Sequence, residues 1–224
     1  MLKAVIMDFD GLIIDTEVVW YKIYKKWFKE KKHYDLSVVD FLTCVGSSYK
    51  DLFNKLEKEY DIYVDVDQFA KDTHQIFIEE SKKLPLKVGV KEFIQNVKKG
   101  GMKLALATSS KRQKPLDHLE RLGLLSYFDI IITSEDVERI KPYPDLFLKA
   151  INELEVSKEE ALIVEDSLNG LNAGINAGIN VLIIPNDVTK YCDFKNYYKK
   201  GNSLLEIDIN NLIEDFNFKT SISV

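Results

Sequence analysis

Short apolar runs recur along this chain at wide spacing, and between them apolar positions repeat every three or four residues. The runs are Ala4 to Met7, Lys103 to Ala107, Ile130 to Ile132, Ala161 to Val164 and Val181 to Ile184. None alternates strictly with polar residues, so each reads as a strand buried on both faces, as in a parallel sheet. Helix-period segments lie between them. Val90 to Lys99 puts Val90, Phe93, Ile94 and Val97 on one face; Pro115 to Leu122 stops at Gly123; Pro144 to Leu154 precedes the fourth run; Leu168 to Ala177 is closed by Gly178. Strands alternating with helices predict an α/β fold built on a doubly wound parallel sheet.

Residues 16 to 82 break that rhythm. They hold amphipathic stretches such as Tyr21 to Phe28 and Tyr49 to Glu59, with few strand candidates. The expected division is a core of residues 1–15 and 83–224, with a helical insertion over 16–82 placed to close over the strand ends and exclude water. Residues 186–224 are rich in Asn, Tyr and Lys. They are expected to form a polar surface with at most one more strand.

Composition narrows the class. With 46% hydrophobic and 30% charged residues in 224, the chain has the make-up of a folded globular protein. A net charge of -5 argues against a nucleic-acid partner. No apolar run reaches the length of a membrane span, and the N-terminus lacks a leader pattern, so a cytoplasmic protein is expected; no feature of the chain sets its oligomeric state, and a monomer is taken as the expectation. Cys44 and Cys192 lack metal-ligand spacing. Two free thiols are the simple reading, and a disulfide between them stays open.

The first run ends on Asp8-Phe9-Asp10-Gly11. A strand has period two, so both carboxylates lean to one side at the carboxyl end, where open parallel sheets place ligands. Two carboxylates there repel unless a cation or shared proton is present. Three further polar segments follow core strands or loops: Thr108-Ser109-Ser110, Lys141 in Ile140-Lys141-Pro142, and Glu165-Asp166-Ser167. Taken singly, each is an ordinary turn or helix cap. Converging on one sheet edge, they suit phosphoryl transfer. Lys141 supplies a point charge, while the Thr108 hydroxyl and the backbone N–H groups of Ser109 and beyond supply donors. Mg²⁺ prefers oxygen ligands, which Asp8 and Asp166 offer with Glu165 nearby.

These segments resemble the haloacid dehalogenase-like superfamily of phosphotransferases, and within it the branch of β-phosphoglucomutases and small-metabolite phosphatases. The stretches that carry the likeness are Asp8-Phe9-Asp10-Gly11-Leu12-Ile13-Ile14-Asp15-Thr16-Glu17, Ala107-Thr108-Ser109-Ser110-Lys111, Lys141-Pro142-Tyr143-Pro144-Asp145 and Val164-Glu165-Asp166-Ser167-Leu168-Asn169-Gly170. The resemblance runs to about residue 185. It implies a Rossmann-like core, an inserted α-helical cap and a Mg²⁺ cofactor. It implies Asp8 as the nucleophile that forms an aspartyl-phosphate and Asp10 as the general acid and base. Thr108, Ser109 and Lys141 are implied phosphate binders. Asp8, Asp166 and the backbone carbonyl of Asp10 are implied metal ligands, with Glu165 a ligand or its supporting partner.

The likeness to the mutases weakens in the cap. Where those members carry a histidine, ten residues after the acid/base aspartate, this chain has Trp20. Where they carry an arginine after a cap glycine, it has Tyr49, with Lys50 as the nearest replacement cation. Hydrolysis of a small phosphorylated metabolite, such as a sugar phosphate, is therefore the expected activity. The alternatives are a sugar-phosphate mutase and a binding protein without turnover. Trp20, Tyr49 and Lys50 are the cap residues expected to meet substrate. His33, His74 and His118 match no site position, and the lysines between Lys22 and Lys32 read as a solvated helix face.

Overall fold

The computed structural model describes residues 1–46 and 48–222, with side chains as far as Asn217. Six parallel strands form one sheet: β1 (Ala4–Met7), β2 (Lys103–Ala107), β3 (Ile130–Ile132), β4 (Ala161–Glu165), β5 (Asn180–Ile183) and β6 (Lys199–Lys200). Their order is β3-β2-β1-β4-β5-β6, so the sheet grows outward on both sides of β1. This is the Rossmann-like α/β arrangement, and the β1/β4 boundary is where the direction of winding reverses.

The apolar runs are unbroken because both sheet faces are covered. In β1, Val5 and Met7 join one cluster with Leu104, Leu106, Leu162 and Val164. Ala4 and Ile6 join another with Ala105, Ala107 and Ile163. Helix α5 (Val90–Lys99) packs on the first face through Val90, Phe93, Ile94 and Val97; α6 (Gln113–Arg121) adds Leu119. Helices α7 (Asp145–Glu153) and α8 (Leu168–Ala177) cover the second through Leu146, Phe147, Leu171 and Ala173.

Among the described residues, four helices run between β1 and α5: α1 (Thr16–Lys32), α2 (Val38–Phe41), α3 (Tyr49–Tyr60) and α4 (Val66–Ser81). They enclose a third cluster rich in aromatic rings: Tyr24, Trp27, Phe28, Phe41, Phe53 and Phe69. Trp27 and Phe69 meet edge-on with ring centroids 4.9 Å apart, a geometry that aromatic quadrupoles favour.

The C-terminal region departs from expectation. Among the described residues its one strand, β6, is only two residues long, and a helix, α9 (Ile209–Ile222), follows it. Ile209, Leu212 and Phe216 are buried in the first cluster. The three- and four-residue spacing of these apolar positions is a helix signal, masked by the polar residues between them. Both cysteines are free thiols, which closes the disulfide alternative. Among the described residues no helix is long and apolar enough to cross a membrane.

Candidate active site

All four polar segments lie at the carboxyl ends of the central strands. The Asp8 amide continues the sheet ladder by donating to the Val164 carbonyl at 3.0 Å, which fixes Asp8 at the β1/β4 boundary. Lys141 reaches the same point from the loop before α7 and is fully buried. Its ammonium donates to Asp8 Oδ1, to the Ala107 carbonyl at 2.9 Å and to Glu165 Oε1 at 2.7 Å. An ammonium has three protons. Lys141 therefore ties the ends of β1, β2 and β4 together and in this arrangement has no proton left for a further acceptor.

Glu165 is the last residue of β4 and is completely buried. Its Oε2 accepts from the Asp166 amide at 3.0 Å, the Ser167 amide at 3.1 Å and the Ser167 hydroxyl at 3.0 Å. Ser167 in turn caps α8, its hydroxyl oxygen accepting from the Gly170 amide at 3.0 Å. Position 170 must be glycine for this packing, since a Cβ there would lie 1.8 Å from Glu165 Cδ. Asp166 Oδ2 accepts from Asn186 Nδ2 at 2.7 Å. Asn186, which follows β5, was not among the sequence-derived site residues. Its place just past a core strand is the signal that could have found it.

Asp10 faces a different set of partners. Its Oδ1 accepts from the Thr16 hydroxyl at 2.6 Å and from Lys114 Nζ at 2.5 Å; its Oδ2 accepts from the Ser110 hydroxyl at 2.6 Å. Lys114, also absent from the sequence-derived set, reaches Asp10 from the first turn of α6. Nothing in the linear sequence pairs it with a residue 104 positions away. The Thr108 hydroxyl oxygen accepts from the Ser110 amide at 3.1 Å, which keeps its own proton available and withdraws that amide from any anion nest. The Ser109 hydroxyl donates to the Gly46 carbonyl at 3.2 Å, and Asn169 Nδ2 donates to the Val45 carbonyl at 2.7 Å. These two bonds join the helical insertion to the core beside the site.

A cavity of about 420 Å³ lies between the two layers. Asp8, Asp10, Thr108 and Ser109 line its core side; Glu17, Trp20, Tyr24 and Tyr49 line it from the insertion. Trp20 is stacked on Phe77, with ring centroids 3.9 Å apart and planes within 5°. Lys50 is exposed and is not among the lining residues. His33 and His74 are exposed, and His118 is buried against the Phe9 ring with centroids 5.9 Å apart.

Burial and charge set the protonation of the site. Burial pushes the Asp8 carboxyl up to about 7, against the opposing pull of Lys141. Burial and the neighbouring Glu165 and Asp8 raise Asp166 well above the carboxylate range. Burial would discharge Lys141, but Asp8 and Glu165 outweigh it and hold the ammonium charged. Asp10 goes the other way: burial is outweighed by Lys114, Ser110 and Thr16, which stabilise its carboxylate. Burial raises Glu17 to about 8, with Asp10 adding to the effect.

Asp8, Glu165 and Asp166 each offer an oxygen within 4.8 Å of the others. Among the described residues, Lys141 is the one cation in ion-pair contact with them. Three buried carboxylates against one ammonium leave a deficit of positive charge that a divalent cation would offset. An all-oxygen donor set suits Mg²⁺. Because both Glu165 oxygens are already bonded, Asp8 and Asp166 present the available oxygens and Glu165 braces the turn between them. The Asp10 side chain stands outside this cluster.

Residues 5–184 match the family model described as haloacid dehalogenase-like hydrolase. YhcW of Bacillus subtilis (strain 168) is 33% identical over 218 residues, which cover 97% of this chain and 99% of that protein. The phosphorylated carbohydrates phosphatase of Thermotoga maritima is 32% identical over 184 residues, covering 80% of this chain and 82% of that one. In fold, the chain is similar to the crystal structure of β-phosphoglucomutase from Clostridium difficile, with a TM-score of 0.81 at 21% identity over 99% of this chain and 100% of that one. A winding reversal at β1, a carboxylate pair at its end and a family match across most of the length agree: the chain belongs to the haloacid dehalogenase-like hydrolases.

Proposed function

We propose that this protein is a Mg²⁺-dependent phosphatase acting on a small phosphorylated metabolite through an aspartyl-phosphate on Asp8. The observation that carries this reading is the division between two aspartates lining one cavity. Asp8 is held by Lys141 among buried carboxylates, whereas Asp10 is held apart by Thr16, Ser110 and Lys114. One is placed to attack and the other to move a proton.

In this reading residues 1–15 and 83–224 are the catalytic core, and 16–82 are the cap. An Asp8 oxygen attacks phosphorus while the bond to the leaving oxygen breaks, and Asp10 delivers the proton that oxygen needs. Water then attacks the phosphorus of the aspartyl-phosphate, Asp10 takes its proton, and inorganic phosphate leaves with Asp8 restored. The bonds that Thr16, Ser110 and Lys114 make to the Asp10 carboxylate favour the state that accepts the proton. They have to loosen for the step that donates it. Thr108 and Ser109 border the place where phosphoryl oxygens would sit. Asp8 and Asp166, with the Asp10 carbonyl, would hold Mg²⁺, which supplies positive charge to offset both the carboxylates and the phosphoryl group. Trp20 and Tyr49 at the mutase-specific positions, with Lys50 outside the cavity lining, favour hydrolysis over mutase chemistry. The Thermotoga maritima relative's name points toward phosphorylated carbohydrates.

The test is release of inorganic phosphate from p-nitrophenyl phosphate and from a panel of sugar phosphates with Mg²⁺. Activity is expected, lost with EDTA and restored by Mg²⁺. Asp8→Asn is expected to abolish turnover while circular dichroism shows an unchanged fold. Interconversion of hexose 1- and 6-phosphates without free phosphate would overturn the reading.

A further inference from the structure

A second cavity, of about 570 Å³, lies between helix α4 of the insertion and helix α6 of the core. Phe77 and Ile78 give it an apolar wall on α4, and Lys82, just past the end of that helix, adds an ammonium. Facing them, α6 and the turn before it contribute Lys111, Lys114 and Arg121. Lys114 is balanced by Asp10. Lys82, Lys111 and Arg121 are exposed, and among the described residues none of the three is in an ion pair. One carboxylate lines the cavity, Asp117, and its Oδ1 accepts from Gln113 Nε2 at 2.6 Å. In a chain with a net charge of -5, this groove reverses the sign.

The groove is separate from the active-site cavity. Trp20 lines one and Phe77 the other, and their stacked rings form the partition. Cations gathered in one cleft repel each other and concentrate anions there. The Arg121 guanidinium is already oriented: Nη2 donates to the Leu84 carbonyl at 2.8 Å and lies 3.2 Å from His118 Nδ1. A fixed, planar guanidinium with donors to spare suits phosphate oxygens. Among the described residues no hydrogen bond or ion pair joins α4 to α6; the two helices meet where Lys114 Nζ stands 4.9 Å from the centre of the Phe77 ring. An anion that reaches Lys82 on one wall and Lys111 and Arg121 on the other supplies that missing tie. Three cations against one carboxylate call for at least two negative charges, and the wall of Phe77 and Ile78 calls for an apolar body. A nucleoside di- or triphosphate carries both, a flat base and a chain of charged phosphoryl groups.

We propose that the α4–α6 groove is an effector site for a nucleoside di- or triphosphate, which clamps the insertion onto the core from outside the active site. Opening between the two layers admits substrate and releases product, so a bound clamp slows turnover. The test uses ADP as the probe on the parent, Lys82→Glu and Arg121→Gln. Calorimetry in EDTA keeps ADP out of the active site, where the uncompensated carboxylates repel a phosphate. One ADP per chain is expected to bind the parent, with affinity about tenfold lower in Lys82→Glu and lowered also in Arg121→Gln. Tripolyphosphate, which has the charge without the base, is expected to bind more weakly than ADP. With Mg²⁺ present, saturating ADP lowers kcat for p-nitrophenyl phosphate severalfold in the parent, and excess p-nitrophenyl phosphate does not relieve it. Lys82 is exposed and unpaired, so Lys82→Glu keeps the basal turnover and loses only the response to ADP. Absence of ADP binding to the parent overturns the proposal, as does equal affinity in the parent and Lys82→Glu. Inhibition fully relieved by p-nitrophenyl phosphate places ADP in the active site and overturns it too, and tripolyphosphate binding as tightly as ADP overturns the nucleotide assignment. A parent that releases no phosphate overturns the phosphatase reading instead, and the calorimetry still decides the role of the groove.

Discussion

Asp8 and Asp10 are two residues apart and chemically unlike, because each meets a different part of the fold. Asp8 continues the sheet ladder into a buried cluster whose balancing charge is Lys141. Asp10 meets a hydroxyl from the start of α1, a second hydroxyl from the β2–α6 connection and an ammonium from the first turn of α6. Asp10→Asn keeps the size of the side chain and removes its proton chemistry. It is expected to lower kcat by roughly 10²- to 10⁴-fold, with KM little changed, in steady-state phosphate release. The alternation Asp-x-Asp was legible in the linear chain, as was the place of Thr108, Lys141, Glu165 and Asp166 after apolar runs. Lys114 was not, because its partner lies 104 positions away; Asn186 carried only the weaker signal of its place just past β5.

At the scale of elements, the β4–α8 turn shows how a short segment is made rigid. Glu165 accepts three hydrogen bonds on one oxygen from residues 166 and 167, and Ser167 caps α8 through Gly170. Gly170→Ala forces its Cβ into the Glu165 carboxyl, 1.8 Å from Cδ. It is expected to cost about 1–3 kcal/mol of stability, read as a lower urea midpoint. It should also lower kcat, because Glu165 carries one of the three bonds that orient Lys141. Fixed capping residues made α8 readable to the residue from sequence. Helix α9 was missed because its buried stripe of Ile209, Leu212 and Phe216 is diluted by Asn, Asp and Glu, and only packing against α5 and the sheet shows which side counts.

For the whole molecule, stability against acid has an identifiable contributor in His118, buried under Phe9 on the first sheet face. Burial first, then the charges of Arg121 and Lys114, lower its pKa, with Asp10 and Asp117 opposing. A depressed folded-state pKa means that the unfolded chain takes up a proton while the folded one resists. Its stabilising contribution is therefore whole above the ordinary histidine value of about 6.5 and is lost as pH falls below it. Urea midpoints at pH 7 and pH 5 should show a smaller drop for His118→Gln than for the parent. The sequence by itself determined the α/β class, the helical insertion and the strand-end carboxylates, because period and continuity of apolar residues are local properties that a parallel sheet imposes directly. Only the tertiary structure decided which charges meet: that Lys141 is consumed by Asp8 and Glu165, that Lys114 finds Asp10, that Lys50 stays outside the cavity lining and that Glu17 faces it unpartnered. Pairing across more than a hundred residues, and the burial that shifts each proton, are set by the packing of layers and leave no periodic trace in the chain.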